Sequence, residues 1–178
     1  MRAKPVNILL MGLRGSGKSA VGRLLAKRLN RPFVDLDDRV LATFDEPTVT
    51  AVWSVHGEPA WRAAEARVLG ELLGESVGVI ALGGGTPMID AVRAELESVR
   101  ASGTATIIYL RCDAAELKRR LEARTGDRPS LTGADPAAET ATVLQTREPV
   151  YRLLADHEYD VTTTSPECVA EGLQKLLG

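Results

Sequence analysis

The chain has 178 residues, enough for one α/β domain and too few for two of ordinary size. Apolar residues make up 44% and aromatics only 4%, so the core must be aliphatic, and a net charge of −2 offers no basic field of the kind nucleic acid needs. Cys112 and Cys168 lack metal-ligand or CxxC spacing and read as reduced thiols in or near the core, while the absence of a signal segment or an 18-residue apolar run predicts a soluble, cytoplasmic protein.

Val6–Met11 is a short continuous apolar run ending in glycine, as expected of a strand buried on both faces. The next segment, Gly12-Leu13-Arg14-Gly15-Ser16-Gly17-Lys18-Ser19, matches G-x-x-x-x-G-K-[ST] and opens a predicted helix, Ser19–Leu29. Its glycines let the backbone turn successive N–H groups toward one anion, and the helix start adds partial positive charge. Lys18 would reach the β and γ phosphates, and the Ser19 hydroxyl would ligate Mg²⁺. Arg14 either adds charge near the phosphates or points to solvent.

A second strand, Phe33–Leu36, runs into Asp35-Leu36-Asp37-Asp38. If the strand continues through Asp37, then Asp35 and Asp37 share one side and both face the phosphate loop. One could hold the metal shell through water while the other hydrogen-bonds an acceptor hydroxyl or takes its proton. The alternative is that these carboxylates cap a following helix. Asp38 caps or is exposed.

Thr43–Thr50, with Pro47, reads as irregular, and Glu58–Leu73 as a helix. Arg62 and Glu65 are neighbours on that helix. Glu65 could orient the guanidinium for a bidentate grip on a ligand carboxylate, or the two could form a plain surface pair. A third strand, Val77–Leu82, leads into Gly83-Gly84-Gly85, which suggests close backbone approach to a ligand. Then follow a helix over Thr86–Arg100, a strand over Thr104–Leu110 and a helix over Ala114–Ala123. Arg124–Asp135 is polar and rich in Gly, Pro and Arg, and reads as a lid or a surface connection. Helices over Pro136–Leu154 and Pro166–Leu177 flank a weak strand at Tyr159–Thr162. Strands alternating with helices imply an α/β parallel sheet covered on both faces.

A phosphate loop alone serves switches, motors and kinases. The chain has no Asn-Lys-x-Asp guanine-reading motif and is too short for a motor with an accessory domain, which leaves a small-molecule kinase. From Val6 to Leu154 the pieces resemble the shikimate kinase family. The likeness rests on the phosphate loop, Asp35 and Asp37, Gly57-Glu58 followed by Arg62, Gly83-Gly84-Gly85, Arg128-Pro129, and Arg147 before Tyr151.

The resemblance implies a three-layer P-loop fold, with a five-stranded parallel sheet in order 2-3-1-4-5, flanking helices and a mobile lid at about 124–135. It implies one domain over 1–178, with a shikimate-binding segment at about 37–65. The implied reaction is transfer of a phosphoryl group from ATP to the 3-hydroxyl of shikimate, with Mg²⁺, on the route to aromatic amino acids. By position, Gly15, Ser16, Gly17, Lys18, Ser19 and Ala20 would bind ATP, Arg124 would stack on adenine, and Arg128 would close onto the transferring phosphate. Lys18, Asp37 and Arg128 would be the catalytic set. Asp37, Arg62, Gly83, Gly84, Gly85 and Arg147 would hold shikimate, with Arg62 and Arg147 on its carboxylate and Trp53 and Trp61 as apolar walls. Ser19 would ligate Mg²⁺, with Asp35 behind it through water. The lid departs from the family's Arg-Pro-Leu-Leu at Ser130, and its Arg124–Arg128 spacer is short. ATP and shikimate are the expected partners of a monomer, with neither nucleic acid nor membrane. A gluconate kinase is the rival enzyme, but it gives no reason for the set Arg62, Gly83–Gly85 and Arg147. An idle nucleotide-binding module is the rival of another class, disfavoured by the intact Lys18, Ser19, Asp35 and Asp37.

Overall fold

A computed structural model describes residues 6–75, 78–123 and 138–178. In chain order the elements are β1 (Asn7–Met11), α1 (Lys18–Leu29), β2 (Phe33–Asp35), α2 (Leu36–Leu41), α3 (Val49–Gly74), β3 (Val79–Ala81), α4 (Asp90–Ala101), β4 (Ala105–Arg111), α5 (Ala114–Glu122), α6 (Thr140–Leu154), β5 (His157–Asp160) and α7 (Pro166–Leu177).

The strands form one five-stranded sheet in the order β2-β3-β1-β4-β5, and every pairing is parallel. β1 is central and buried at all five positions, which is why it reads as an unbroken apolar run rather than an alternating one. Ile8 stands opposite Val79 on one side and Thr106 on the other. Leu9, Leu10, Ile80, Ile107 and Ile108 are fully buried and form the aliphatic centre of the core. α1 packs on α7, and α4 lies against α3 and α6. This is the expected α/β architecture and strand order. The C-terminal ends of β1, β2 and β3 bring the phosphate loop, the acidic pair and the glycine run to one edge, where open parallel sheets bind ligands.

Local chemistry accounts for the element boundaries. Asp35 ends β2 and caps α2, accepting from the Asp37 N–H at 3.1 Å. The second strand therefore stops before Asp37, which lies in the first turn of α2 rather than on the strand. Thr48 caps α3 by accepting from the Ala51 N–H, so that helix begins at Val49, inside the stretch expected to be irregular. It runs to Gly74 with a break at Gly57, whose φ of 82° suits glycine, and Pro59 stands two residues on. A short 3₁₀ turn, Thr86–Met88, separates the glycine run from α4, where one continuous helix was expected. β5 lies two residues before its expected start, and Ser165 caps α7 with Pro166 in its first turn. Cys112 is buried as expected, whereas Cys168 is exposed. The expected lid, with Arg124 and Arg128, lies outside the described residues. Among the described residues no helix is long and apolar enough to cross a membrane.

Candidate active site

The phosphate loop curls because three of its glycines take positive φ: Gly12, Gly15 and Gly17 at 153°, 87° and 91°. At Gly12 close approach adds to this, since a β-carbon there would stand 2.7 Å from the Leu110 carbonyl oxygen. α1 begins at Lys18, so the helix start and its orphan N–H groups face the loop. Lys18 Nζ donates to the carbonyl oxygens of Gly12 and Leu13 at 2.8 and 3.0 Å, which holds the ammonium over the loop it would serve. The Ser19 hydroxyl donates to Asp35 Oδ2. Asp35 therefore both caps α2 and touches the first turn of α1.

Asp37 lies in the first turn of α2. It is buried beside the glycine run, and a β-carbon on Gly83 would come within 2.7 Å of Asp37 Oδ1, Glu65 Oε1 and Thr86 Oγ1. Only glycine leaves room for that convergence. The correction to the strand-based reading is physical: capping by Asp35 turns the chain into α2, so Asp37 reaches the site from a helix rather than from the strand.

Arg62 is held from two sides by its own helix. Its Nε and Nη2 donate to Glu58 Oε1 at 3.0 and 2.9 Å, and Nη1 donates to Glu65 Oε2 at 2.7 Å. The other Glu65 oxygen accepts from the Thr86 hydroxyl at 2.6 Å. This is more than a surface pair, because the Glu65 side chain is 1% exposed and that of Arg62 22%. Burial pushes the Glu65 carboxyl up, aided by the nearby Asp37 charge and opposed by Arg62 and Thr86. For Arg62, burial works against the charge, but Glu65 and Glu58 outweigh it and hold the guanidinium above its ordinary value. Both values rise, which favours the charged form of Arg62 but disfavours that of Glu65, the more deeply buried partner. Trp53 lies 5.7 Å from the Arg62 guanidinium, ring centroid to carbon, and Trp61 is buried behind it.

Arg147 comes from α6, and its Nη1 lies 3.7 Å from where a β-carbon on Gly84 would stand. Tyr151 lies one helical turn on, and its hydroxyl donates to the Gly84 carbonyl oxygen. Arg62, Arg147, Asp37 and Gly83–Gly85 thus line a single cleft of about 690 Å³, open solvent included, with Leu13 and Arg14 at its phosphate-loop end. The same loop lines a second cleft through Gly15, Ser16, Gly17 and Ala20, opposite Arg119, Arg120 and the segment 161–166. The loop is therefore a wall common to both spaces.

Sequence reasoning missed several of these contributors. Arg120 donates to the carbonyl oxygens of Gly15 and Val161 at 3.3 and 2.8 Å, tying the phosphate loop to the far wall of the second cleft. Its spacing from Glu116 had only the look of a surface ion pair. Thr86 follows the glycines without a motif of its own, and Glu139, buried at the head of α6, lines the first cleft with Thr140. Local pattern carries no signal for any of these, because each acts on a distant element.

The family model for shikimate kinase matches residues 14–177. A shikimate kinase of Nitrobacter winogradskyi is 39% identical over 159 residues, covering 89% of this chain and 69% of its own. A shikimate kinase from Acinetobacter baumannii, solved in complex with shikimate, superposes with a TM-score of 0.87 at 28% identity, covering 98% of this chain and 94% of the other. A gluconokinase from Sinorhizobium meliloti covers 99% and 97% of the two chains but reaches a TM-score of only 0.58, at 25% identity. With a match that spans nearly the whole sequence and a fold that follows it, the chain belongs to the shikimate kinase family.

Proposed function

We propose that the chain transfers the γ-phosphoryl group of ATP to the 3-hydroxyl of shikimate, giving shikimate 3-phosphate on the route to aromatic amino acids. The observation that carries this reading is the joining of two arginines, a buried aspartate and a glycine run in one cleft that ends on the phosphate loop. Shikimate is a small ring bearing one carboxylate and three hydroxyls. Arg62 and Arg147 would take the carboxylate, since planar guanidinium groups match its two oxygens. Asp37 would accept from the ring hydroxyls and hold the proton of the one that attacks. Backbone N–H groups of Gly83, Gly84 and Gly85 would donate to the ring substituents, and Trp53 and Trp61 would cover its apolar face.

The phosphates of ATP would lie in the loop Gly15–Ala20, with Lys18 turned from its carbonyl partners onto the β and γ oxygens. The adenosine end would occupy the second cleft, between Arg119, Arg120 and the segment 161–166. The donor set fits Mg²⁺: the Ser19 hydroxyl and the Asp35 carboxylate are hard oxygen donors in direct contact at the start of α1. Among the described residues no group of three His, Cys, Asp or Glu could hold a metal, so protein oxygens would supply only part of the shell. Bound there, Mg²⁺ would neutralise phosphate charge as the phosphoryl group moves. Arg124 and Arg128 keep the roles that family resemblance gives them, on adenine and on the transferring phosphate. We read residues 1–178 as one domain working as a cytoplasmic monomer, with no nucleic-acid or membrane partner.

The test is a coupled ADP-release assay with shikimate, with gluconate and with no acceptor. ADP release that depends on shikimate is the expected result. Equal release with gluconate, or release indifferent to the acceptor, would overturn the reading.

A further inference from the structure

Arg62 and Arg147 are fixed in different ways. Carboxylates hold Arg62, whereas the group beside Arg147 is a phenol: Tyr151 lies one turn along α6, on the same helix face, and is fully buried. Its hydroxyl serves two elements together. It donates to the Gly84 carbonyl oxygen, and the Arg147 guanidinium, whose charge acts on the phenol, stands over the same glycine, Nη1 being 3.7 Å from where a β-carbon there would lie. Burial pushes the phenol up to about 12, with Arg147 pulling the other way, so the hydroxyl stays protonated and keeps a hydrogen for Gly84. The ring is itself braced. Tyr109 of β4 lies 5.2 Å away, centroid to centroid, and its hydroxyl donates at 3.1 Å to Glu148, the residue beside Arg147. Gly84 in turn abuts the phosphate loop, since a β-carbon there would be 3.3 Å from the Arg14 nitrogen.

We infer that Tyr151 is a positioning residue for acceptor binding: its hydroxyl locks the Arg147 guanidinium against the Gly83–Gly85 loop, so that the carboxylate clamp and the backbone donors reach the acceptor in fixed register. A neutral anchor suits this task, because it orients the guanidinium without neutralising the charge the acceptor needs. The inference rests on Arg147 being the acceptor-carboxylate clamp proposed above.

The experiment is a double-mutant cycle on Tyr151→Phe and Arg147→Ala, read as separate KM values for shikimate and ATP. Tyr151→Phe keeps the ring against Tyr109 and removes one oxygen. The shikimate KM should rise about tenfold, the scale of one hydrogen bond to a charged group, while the ATP KM stays within about twofold. Arg147→Ala should raise the shikimate KM further still, and adding Tyr151→Phe to it should change nothing more. A shikimate KM within about twofold of wild type in Tyr151→Phe overturns the inference. So do additive effects in the double mutant, and so does a parallel rise in both KM values, which would mark Tyr151 as a core support only. If Arg147→Ala leaves the shikimate KM unchanged, the clamp reading itself falls and the inference falls with it, an outcome distinct from failure of Tyr151→Phe alone.

Discussion

The phosphate end and the acceptor end of the cleft meet at Leu13 and Arg14, yet they are built on opposite plans. The phosphate end is one loop of consecutive residues, shaped by glycine backbone and completed by the first turn of a single helix. The acceptor end gathers side chains from α2, α3, the β3–α4 connection and α6, and each is locked by a partner from its own or another element. A local backbone cradle recognises what all nucleoside triphosphates share. A distributed side-chain network recognises one acceptor, and it works only when the sheet brings its parts together. Phosphoryl transfer should therefore fail in two distinguishable ways, through turnover at one end and through acceptor binding at the other.

The most severe break is expected at Lys18. Lys18→Met removes the ammonium held over the loop, and kcat should fall by roughly a thousandfold, with the melting temperature and the shikimate dissociation constant near wild type. Measured kcat within a few fold of wild type would remove Lys18 from the phosphate site. A large loss of shikimate affinity would show that the two ends are not separable.

Arg62→Lys probes the other end with a smaller effect. The charge stays, but the planar fork that spans Glu58 and Glu65 is lost. The shikimate KM should rise by about ten- to thirtyfold while the ATP KM holds. Equal changes in both constants would sink the division between the two ends.

The smallest effect concerns pH and Glu65. Burial raises its carboxyl above the ordinary value of 4.5, so just above that pH the folded chain retains a proton that the unfolded chain has released. Stability contributed by this group is full below 4.5 and declines as pH rises through the raised folded value. Glu65→Gln abolishes that titration. The melting temperature of wild type, measured against the variant, should therefore drop as pH climbs from 4.5 toward neutrality. A gap that stays constant with pH would show that Arg62 and Thr86 fully offset the burial of the carboxylate.

The contrast between the two ends also governs how much of the molecule is legible in its sequence. The phosphate loop is legible in full, because its chemistry lives in adjacent residues between a strand and a helix. The parallel sheet is legible from its apolar runs, though β3 is shorter than expected and β5 starts two residues early, where short strands leave little pattern. The acidic pair is half legible. Period-two alternation puts Asp35 and Asp37 on one strand face, but capping by Asp35 outcompetes strand extension and places Asp37 on α2. Gly57 and Pro59 have the look of a helix beginning, whereas α3 carries helical turns on both sides of that break. Tyr151, Thr86 and Arg120 take no role from local pattern, because each is defined by a contact with a remote segment.

The glycine run bears on how this family could escape an inhibitor. A compound anchored on the backbone of Gly83–Gly85 would rest on atoms that substitution cannot delete. The common route to resistance, growing a side chain into the compound, is obstructed from behind. At Gly83 even a methyl group would press on Asp37, Glu65 and Thr86, and at Gly85 it would come within 2.6 Å of the Arg62 guanidinium. A variant that expelled the compound this way would displace its own acceptor clamp, so escape should arise instead at the cleft's aromatic rim, around Trp53, where the walls are side chains.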